Sequence, residues 1–384
     1  MIPVMRPWLG AEEAAAAAEA VSSGWVAQGP RVSAFEEAFA SAIGASHAVA
    51  LSSCTAALHL ALVAAGIDAG DEIVVPSLSF IATANAVRYV GGVPVFADVD
   101  ATTQNLTSAT VEPCLTPRTR AVILVDQAGV PADLDAMQKL CGPRGIAVIE
   151  DAACAVGSTY RGQPVGAQAD LAAFSFHPRK LLTTGEGGML VTPDADVATR
   201  LRRLREHGMD ISAAARHASS QPVIERYLEL GFNFRMTDVQ AAIGLVQLGK
   251  LGRLIARRRA LAQRYQQLLT GIRGIRTITD PEYGTTNYQS FWVLLPDDYP
   301  ISRDELMRRL AEAGVSARRG IMASHLEPAY QDVAHGPLPV TEHLTARSLI
   351  LPLFHDLTES EQDLVVSVIA AASRSQDPTG ARLQ

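Results

Sequence analysis

The stretch Phe174–Leu190, FSFHPRKLLTTGEGGML, sets a single lysine, Lys180, between a strand-like run and a cluster of glycines. The chain has only three lysines, Lys139, Lys180 and Lys250, and leaves the rest of its 33 basic residues to arginine. An amine can do what a guanidinium cannot. Where its surroundings disfavour the ammonium form it becomes a nucleophile and condenses with a carbonyl. Gly185, Gly187 and Gly188 let the following backbone turn tightly beside a bulky ligand.

Outward from this stretch, residues 46–192 alternate short apolar runs with helix-length segments. The runs are HAVALSS, DEIVVPS, VPVFADVD, RAVILVD, IAVIEDA, DLAAFSFH and GGMLVT. Continuous apolar strands separated by helices predict an α/β fold, a largely parallel seven-stranded sheet with helices on both faces. Right-handed crossovers then bring the loops after successive strands to one edge, where such folds bind ligands. Thr237 and Asp238 open a long helix to Leu269, and TNYQSFWVLLP, SRDELMRRLAEAGV and ESEQDLVVSVIAAAS follow as strand, helix and helix. The expected division is a large cofactor-binding α/β domain, 1–250, and a smaller C-terminal α+β domain, 251–384. Residues 208–231 form a long, weakly patterned connection.

Hydrophobic residues at 48% and charged residues at 19% describe a globular chain, and a net charge of −7 with no basic stripe argues against nucleic acid. No apolar run is long enough to span a bilayer, and MIPVMRPWLG lacks the pattern of a secretory leader. Cys54, Cys114, Cys141 and Cys154 show neither CxxC nor zinc spacing, so no metal site and a reduced, cytoplasmic setting are expected. GLVQLGKL, Gly244–Leu251, imitates a P-loop, but Leu251 replaces the required Ser/Thr and the segment lies within a helical pattern.

Three strand ends carry the chemistry. VALSSCTAAL passes from strand into helix with Ser52, Ser53 and Thr55 at the junction, an anion site made of free amides and hydroxyls. AVIEDAACAVG ends its strand on Glu150 and Asp151, and Asp151 suits a protonated ring nitrogen as a charge-assisted partner. The third loop holds Lys180, with the Ser175 hydroxyl five residues before it. Together they fit pyridoxal 5′-phosphate; a generic nucleotide-binding α/β domain fits the same residues.

SGWVAQGPRVSAFEEAFA, SSCTAALHLAL, VPSLSFIATANAV, PVFADVD, IEDAACAVG, FSFHPRKLLTTGEGGM, GFNFRMTDVQAAIG and LPLFHDLTESEQ follow one another in this order. The set resembles the DegT-type sugar aminotransferases of aspartate-aminotransferase fold type I, from about Ser23 to Val366. The resemblance implies that Lys180 binds the cofactor aldehyde and moves the substrate proton, and that Asp151 keeps the ring nitrogen protonated. It implies that Phe80 stacks on the ring and that Thr55, its neighbouring amides and Ser175 hold the phosphate. Asn233 would reach the phosphate of a second subunit, which implies a homodimer with shared sites; Arg235 beside it either helps or forms a structural salt bridge. Two positions depart from the family pattern: Cys54 stands where glycine is common, and Cys154 where Gln or His hydrogen-bonds the ring oxygen. His177 is placed to contact substrate or to pack behind it. His325 lies where the small domain approaches the sugar, and Trp25 and Gln28 lie in the segment lining the sugar side.

The resemblance further implies transfer of an amino group from an amino acid, L-glutamate in most relatives, to a ketone on a nucleotide-linked deoxysugar, or alternatively on a ketocyclitol. Dehydratase-type relatives replace the lysine, so Lys180 argues against them. A non-enzymatic regulator of the same fold would carry an added DNA-binding domain or a degraded site, and neither is present in the sequence.

Overall fold

The computed structural model describes residues 1–212, 216 and 220–374. All seven apolar runs form strands: β1 (His47–Leu51), β2 (Glu72–Pro76), β3 (Val93–Ala97), β4 (Thr119–Val125), β5 (Ala147–Asp151), β6 (Leu171–Ser175) and β7 (Gly188–Thr192). They make one sheet in the order β1-β7-β6-β5-β4-β2-β3. Six strands run one way. β7 alone is reversed, antiparallel to both β1 and β6. An antiparallel neighbour needs no crossover helix, so the chain leaves β6, loops once and returns as β7. That loop contains Lys180 and stays at the edge where β5, β4 and β2 also end.

The strands are buried on both faces, which is why they read as unbroken apolar runs. Along β4, Val122 and Leu124 join the core beneath α2 (Pro30–Ile43), α5 (Leu134–Cys141) and the long helix α7 (Asp238–Leu269). Ala121, Ile123 and Val125 join the opposite core with α3 (Cys54–Ala64), α4 (Ala82–Tyr89) and α6 (Ala195–Leu204). An aromatic cluster fixes the base of the Lys180 loop: Phe39 meets Phe174 edge-on at 5.1 Å, and Phe35 and Phe39 lie 5.3 and 5.4 Å from Phe176.

Thr237 and Gln240 form a capping box at the start of α7. The P-loop imitation lies inside this helix, where a side chain at Gly244 would strike the Phe35 ring. The expected domain boundary at 250/251 also falls within α7. The C-terminal part contributes an antiparallel sheet of β8 (Arg276–Thr277), β9 (Phe291–Leu294), β10 (Arg318–Arg319) and β11 (Ser348–Leu351), in the order β8-β9-β11-β10. Helices α8 (Arg303–Glu312), α9 (Pro339–Arg347) and α10 (Glu359–Ser373) accompany it. The first residues return to this part: Ile2 exchanges backbone hydrogen bonds with Gly314 and Ser316, and the Val4 carbonyl accepts from Leu353 N. Of the connection 208–231, residues 213–215 and 217–219 lie outside the described residues.

Candidate active site

Lys180 sits in a loop pinned at both shoulders. The Phe176 carbonyl accepts from Thr183 Oγ1 at 2.8 Å and Thr184 N at 3.0 Å, and Gly185 makes the turn with φ +86°. From the C-terminal part, Gln289 accepts from Leu181 N at 2.9 Å and donates to the Arg179 carbonyl. Gln289 is held in turn by Arg258 of α7, a buried guanidinium that donates to the Tyr288 and Gln289 carbonyls. Burial lowers the Arg258 pKa to about 10. The long helix thus braces the lysine loop through one glutamine.

The Lys180 amine faces two adjoining cavities. The smaller, about 260 Å³, is lined by Ser53, Cys54, Thr55, Phe80, Thr83, Asp151, Cys154, Ser175 and His177, with Gln127, Glu186 and Gly187. At one end α3 begins, its first amides aimed along the helix axis and Ser53 capping Ala56 N. Gly188 permits this closeness, since a Cβ there would lie 2.4 Å from the Ser53 carbonyl carbon. At the other end Asp151 is 4% exposed; Thr83 Oγ1 donates to Oδ2 at 2.9 Å and Ala153 N to Oδ1 at 3.2 Å. Burial pushes the Asp151 carboxyl above its ordinary value, with Thr83, Ala153 and the Lys180 charge pulling the other way. A cation on the cavity side would offset that cost. Phe80, 63% exposed, stands at the mouth between both cavities.

The two cysteines lie at this site. Cys154 Sγ accepts a hydrogen bond from Lys180 Nζ at 3.0 Å, and Cys54 is buried at the start of α3. Burial pulls the Lys180 ammonium down, but the Cys154 sulfur, Cys54 and Asp151 outweigh it and leave the amine above its ordinary pKa. Surroundings that disfavour the ammonium were expected from the sequence; three groups able to carry negative charge around one amine reverse the sign. All four cysteines are free, and among the described residues no cluster of His, Cys, Asp or Glu could hold a metal ion.

Lys180, Asp151, Cys54, Thr55, Phe80, Cys154, Ser175 and His177 therefore share one cavity. His177 is half-buried, accepts from Arg179 N at Nδ1 and lies 3.9 Å from Glu186; burial lowers its pKa. Trp25, Gln28, Asn233, Arg235 and His325 line neither cavity of the same chain. Gln28 donates to Glu206 at 3.4 Å. Asn233 is exposed between Phe232 and Phe234, which stack on each other at 5.0 Å and meet His59 edge-on. His325 is buried, with Nδ1 2.6 Å from Ser77 Oγ and Nε2 3.5 Å from Glu342. Thr83, Gln127, Arg179 and Gln289 are additions that the sequence did not single out. Gln127 follows an apolar strand, a signal that was readable; Gln289 arrives from the bend just before β9 and leaves none.

The residues fit pyridoxal phosphate: a helix start for the phosphate, a buried carboxylate short of a cationic partner, an aromatic face at the mouth and a reachable amine. The family model for the DegT/DnrJ/EryC1/StrS aminotransferase family matches residues 7–370. Among solved structures, the aminotransferase TlmJ from Streptoalloteichus hindustanus is 38% identical, with a TM-score of 0.89 over 97% of this chain and 98% of that one. Spr1654 from Streptococcus pneumoniae in its PLP form is 26% identical, with a TM-score of 0.90 over 97% and 98%; a PMP form of that protein matches as well. PseC from Helicobacter pylori, an aminotransferase involved in the biosynthesis of pseudoaminic acid, is 26% identical, with a TM-score of 0.89 over 97% and 98%. The chain is a pyridoxal-phosphate-dependent aminotransferase and belongs to the DegT/DnrJ/EryC1/StrS family.

Proposed function

We propose that this aminotransferase takes the amino group of L-glutamate and delivers it to a ketone on a nucleotide-linked deoxysugar, acting in the cytoplasm as a homodimer in amino-sugar biosynthesis. The observation that carries the reading is the junction of the two cavities at Lys180. The second, about 430 Å³, lies between the large sheet and the C-terminal part, within the size range of ligand sites. It leaves room for a substrate larger than the cofactor cavity alone would take. The expected division into 1–250 and 251–384 places that second cavity between two domains, where ligand sites commonly form.

In this reading Lys180 holds the cofactor, Thr55, Ser175 and the amides at the start of α3 hold its phosphate, and Phe80 covers the ring. When bound, pyridoxal phosphate supplies an aldehyde that takes up the amino group and a ring that accepts electrons from the substrate carbon. Asp151 holds a proton at the ring nitrogen, and its burial makes a cation there its natural partner. Lys180 Nζ takes the proton from the donor's Cα and returns one to the ketone carbon of the acceptor. Because one amine serves both substrates, ping-pong kinetics are expected. Asn233, exposed and lining neither cavity of its own chain, is proposed to reach the site of the partner subunit.

The test follows the visible absorbance of the purified holoenzyme. Glutamate alone should bleach it, and a nucleotide-linked ketosugar should restore it with an aminated product. Bleaching followed by restoration only with ketocyclitols would overturn the sugar assignment, and no bleaching by glutamate would overturn the donor.

A further inference from the structure

The larger cavity is cationic and carries no counter-charge. Its lining includes Arg179, Lys180, Arg318 and Arg319 and no aspartate or glutamate among the described residues. Arg319 is satisfied elsewhere, paired with Glu327 at 3.1 Å. Arg179 and Arg318 are different: neither guanidinium has a hydrogen-bond or ion-pair partner among the described residues. Elsewhere the chain ties its arginines closely, as in Arg205 and Arg202 on Glu36 or Arg259 on Asp280. Two like charges turned toward one cavity, without a carboxylate, repel each other, and Arg318 is also half-buried while Arg179 is exposed. Burial and the neighbouring Arg179 both press the Arg318 guanidinium below its ordinary pKa, the response of a cation lacking its anion.

The fold holds both in place. Arg318 sits on β10 opposite Ile350 of β11, and Gly320 lets the end of β10 approach Ser348 so closely that a Cβ would lie 1.8 Å from its Oγ. Arg179 is fixed by Gln289 on its carbonyl and by His177 on its amide. Most of the remaining wall is apolar, with Trp292, Met307 and Ile350, and Gln127, Gln289 and Ser290 add polar groups. The Trp292 indole N–H is buried without a partner among the described residues.

We propose that Arg179 and Arg318 form a carboxylate-binding site for the amino donor, in the cavity that opens on Lys180 Nζ. The inference rests on the amino-acid-donor reading above. A donor's carboxylate is attached to the same carbon as the amino group that must reach Lys180, so its site has to adjoin the lysine. Arg179 is the next residue in the chain, and its side chain lines both cavities with Lys180. The phosphates of a nucleotide-linked sugar are separated from the ketone carbon by the ring and belong farther out. Guanidinium forks match a carboxylate with two parallel hydrogen bonds, and the apolar wall suits an aliphatic donor chain.

The test uses glutarate, a dicarboxylate with no amino group, and UDP as a phosphate probe, each titrated calorimetrically into wild-type holoenzyme and into Arg318→Gln, Arg179→Gln and Arg318→Lys. Either glutamine variant should weaken glutarate roughly tenfold to a hundredfold, with UDP unchanged. Arg318→Lys should recover part of the loss, because charge returns without the fork. Equal glutarate affinity in wild type and both glutamine variants overturns the site, as does weakening of UDP in place of glutarate. Bleaching of the wild-type absorbance by glutamate checks the donor reading separately: if it occurs while glutarate ignores both substitutions, that reading stands and the arginine site falls.

Discussion

Lys180 and Lys250 are both withdrawn from solvent and both held above the ordinary lysine pKa, yet one is locked between carboxylates and the other opens on two cavities. Lys250, on α7, is gripped by Glu12 at 2.8 Å and Glu13 at 2.7 Å, both on α1 (Ala11–Ser22), and its ammonium lies 5.2 Å from the centre of the Trp8 ring. Glu13 is itself tied by Gln247 and Gly10 N. Every feature there keeps a charge in place. The Lys180 amine has one hydrogen-bond contact among the described residues, a thiol, and two cavities in front of it. A lysine that joins helices is given carboxylates; one that must release a proton and form a bond is given a weak, replaceable acceptor.

The sharpest way to break this contrast is to delete each amine. Lys180→Ala should reduce turnover on the order of 10⁴-fold or more with the melting temperature nearly unchanged. Lys250→Met should do the reverse, costing about 2 kcal/mol in urea unfolding by leaving Glu13 without its charge partner, while turnover persists at moderate temperature. Turnover surviving Lys180→Ala, or lost in a folded Lys250→Met, would erase the distinction. Next in size is Asp151→Asn, which keeps volume and the Thr83 contact but removes the charge. It should slow the glutamate half-reaction roughly 10²- to 10³-fold in a stopped-flow trace. A loss below threefold would mean that the carboxylate is not the ring's partner.

How much of this arrangement was readable in advance depends on where each residue gets its partner. The seven strands were legible because a strand buried on both faces needs apolar residues at every position, whatever its direction. Direction was not legible: GGMLVT reads the same parallel or reversed, and only the missing helix-length segment between Ser175 and Gly188 hinted at the turn back. Asp151 and Thr55 stood out as polar residues where an apolar strand ends, and Lys180 as a rare lysine between a strand-like run and a glycine cluster. Arg318 did not, since its meaning comes from Arg179 across the cavity, and nothing local distinguishes it from the surface arginines of α8. Thr83 and Gln289 were hidden for the same reason. His325 was read as lying where the small domain approaches the sugar, and its partners, invisible in the motif, are Ser77, Glu342 and His335.

The carboxylates repeat the contrast. Glu150 and Asp151 are consecutive, so their side chains leave the strand on opposite faces. Asp151 meets the cavity; Glu150 is buried, with one backbone donor, Gly166, and burial lifts its pKa from 4.5 to about 7. The folded chain then keeps a proton at Glu150 that the unfolded chain gives up above about pH 4.5. Folding stability at this residue falls as pH rises through that window and levels off above 7. Glu150→Gln removes the titration and should stabilise the protein above pH 7, the advantage vanishing toward pH 4.5. Thermal melts across the range check it, and a pH-independent difference would contradict the assignment.

The smallest effect concerns the thiol. In Cys154→Ala the sulfur that accepts from Lys180 Nζ is gone, while burial, which favours the neutral amine, is unchanged. The balance at Lys180 then shifts downward, although Cys54 and Asp151 still oppose the shift. At a fixed pH of about 8 a larger fraction of the amine is free, so an amine-specific reagent should label Lys180 about threefold faster in the cofactor-free variant than in cofactor-free wild type. Lys250, whose carboxylates are untouched, serves as the internal reference within the same peptide map and should label equally in both proteins. Equal rates at Lys180 would show that the sulfur sets nothing and that burial and the carboxylate alone govern the amine. A slower rate would mean that the sulfur had been holding the amine in its reactive form, the opposite of the restraint argued for Lys180.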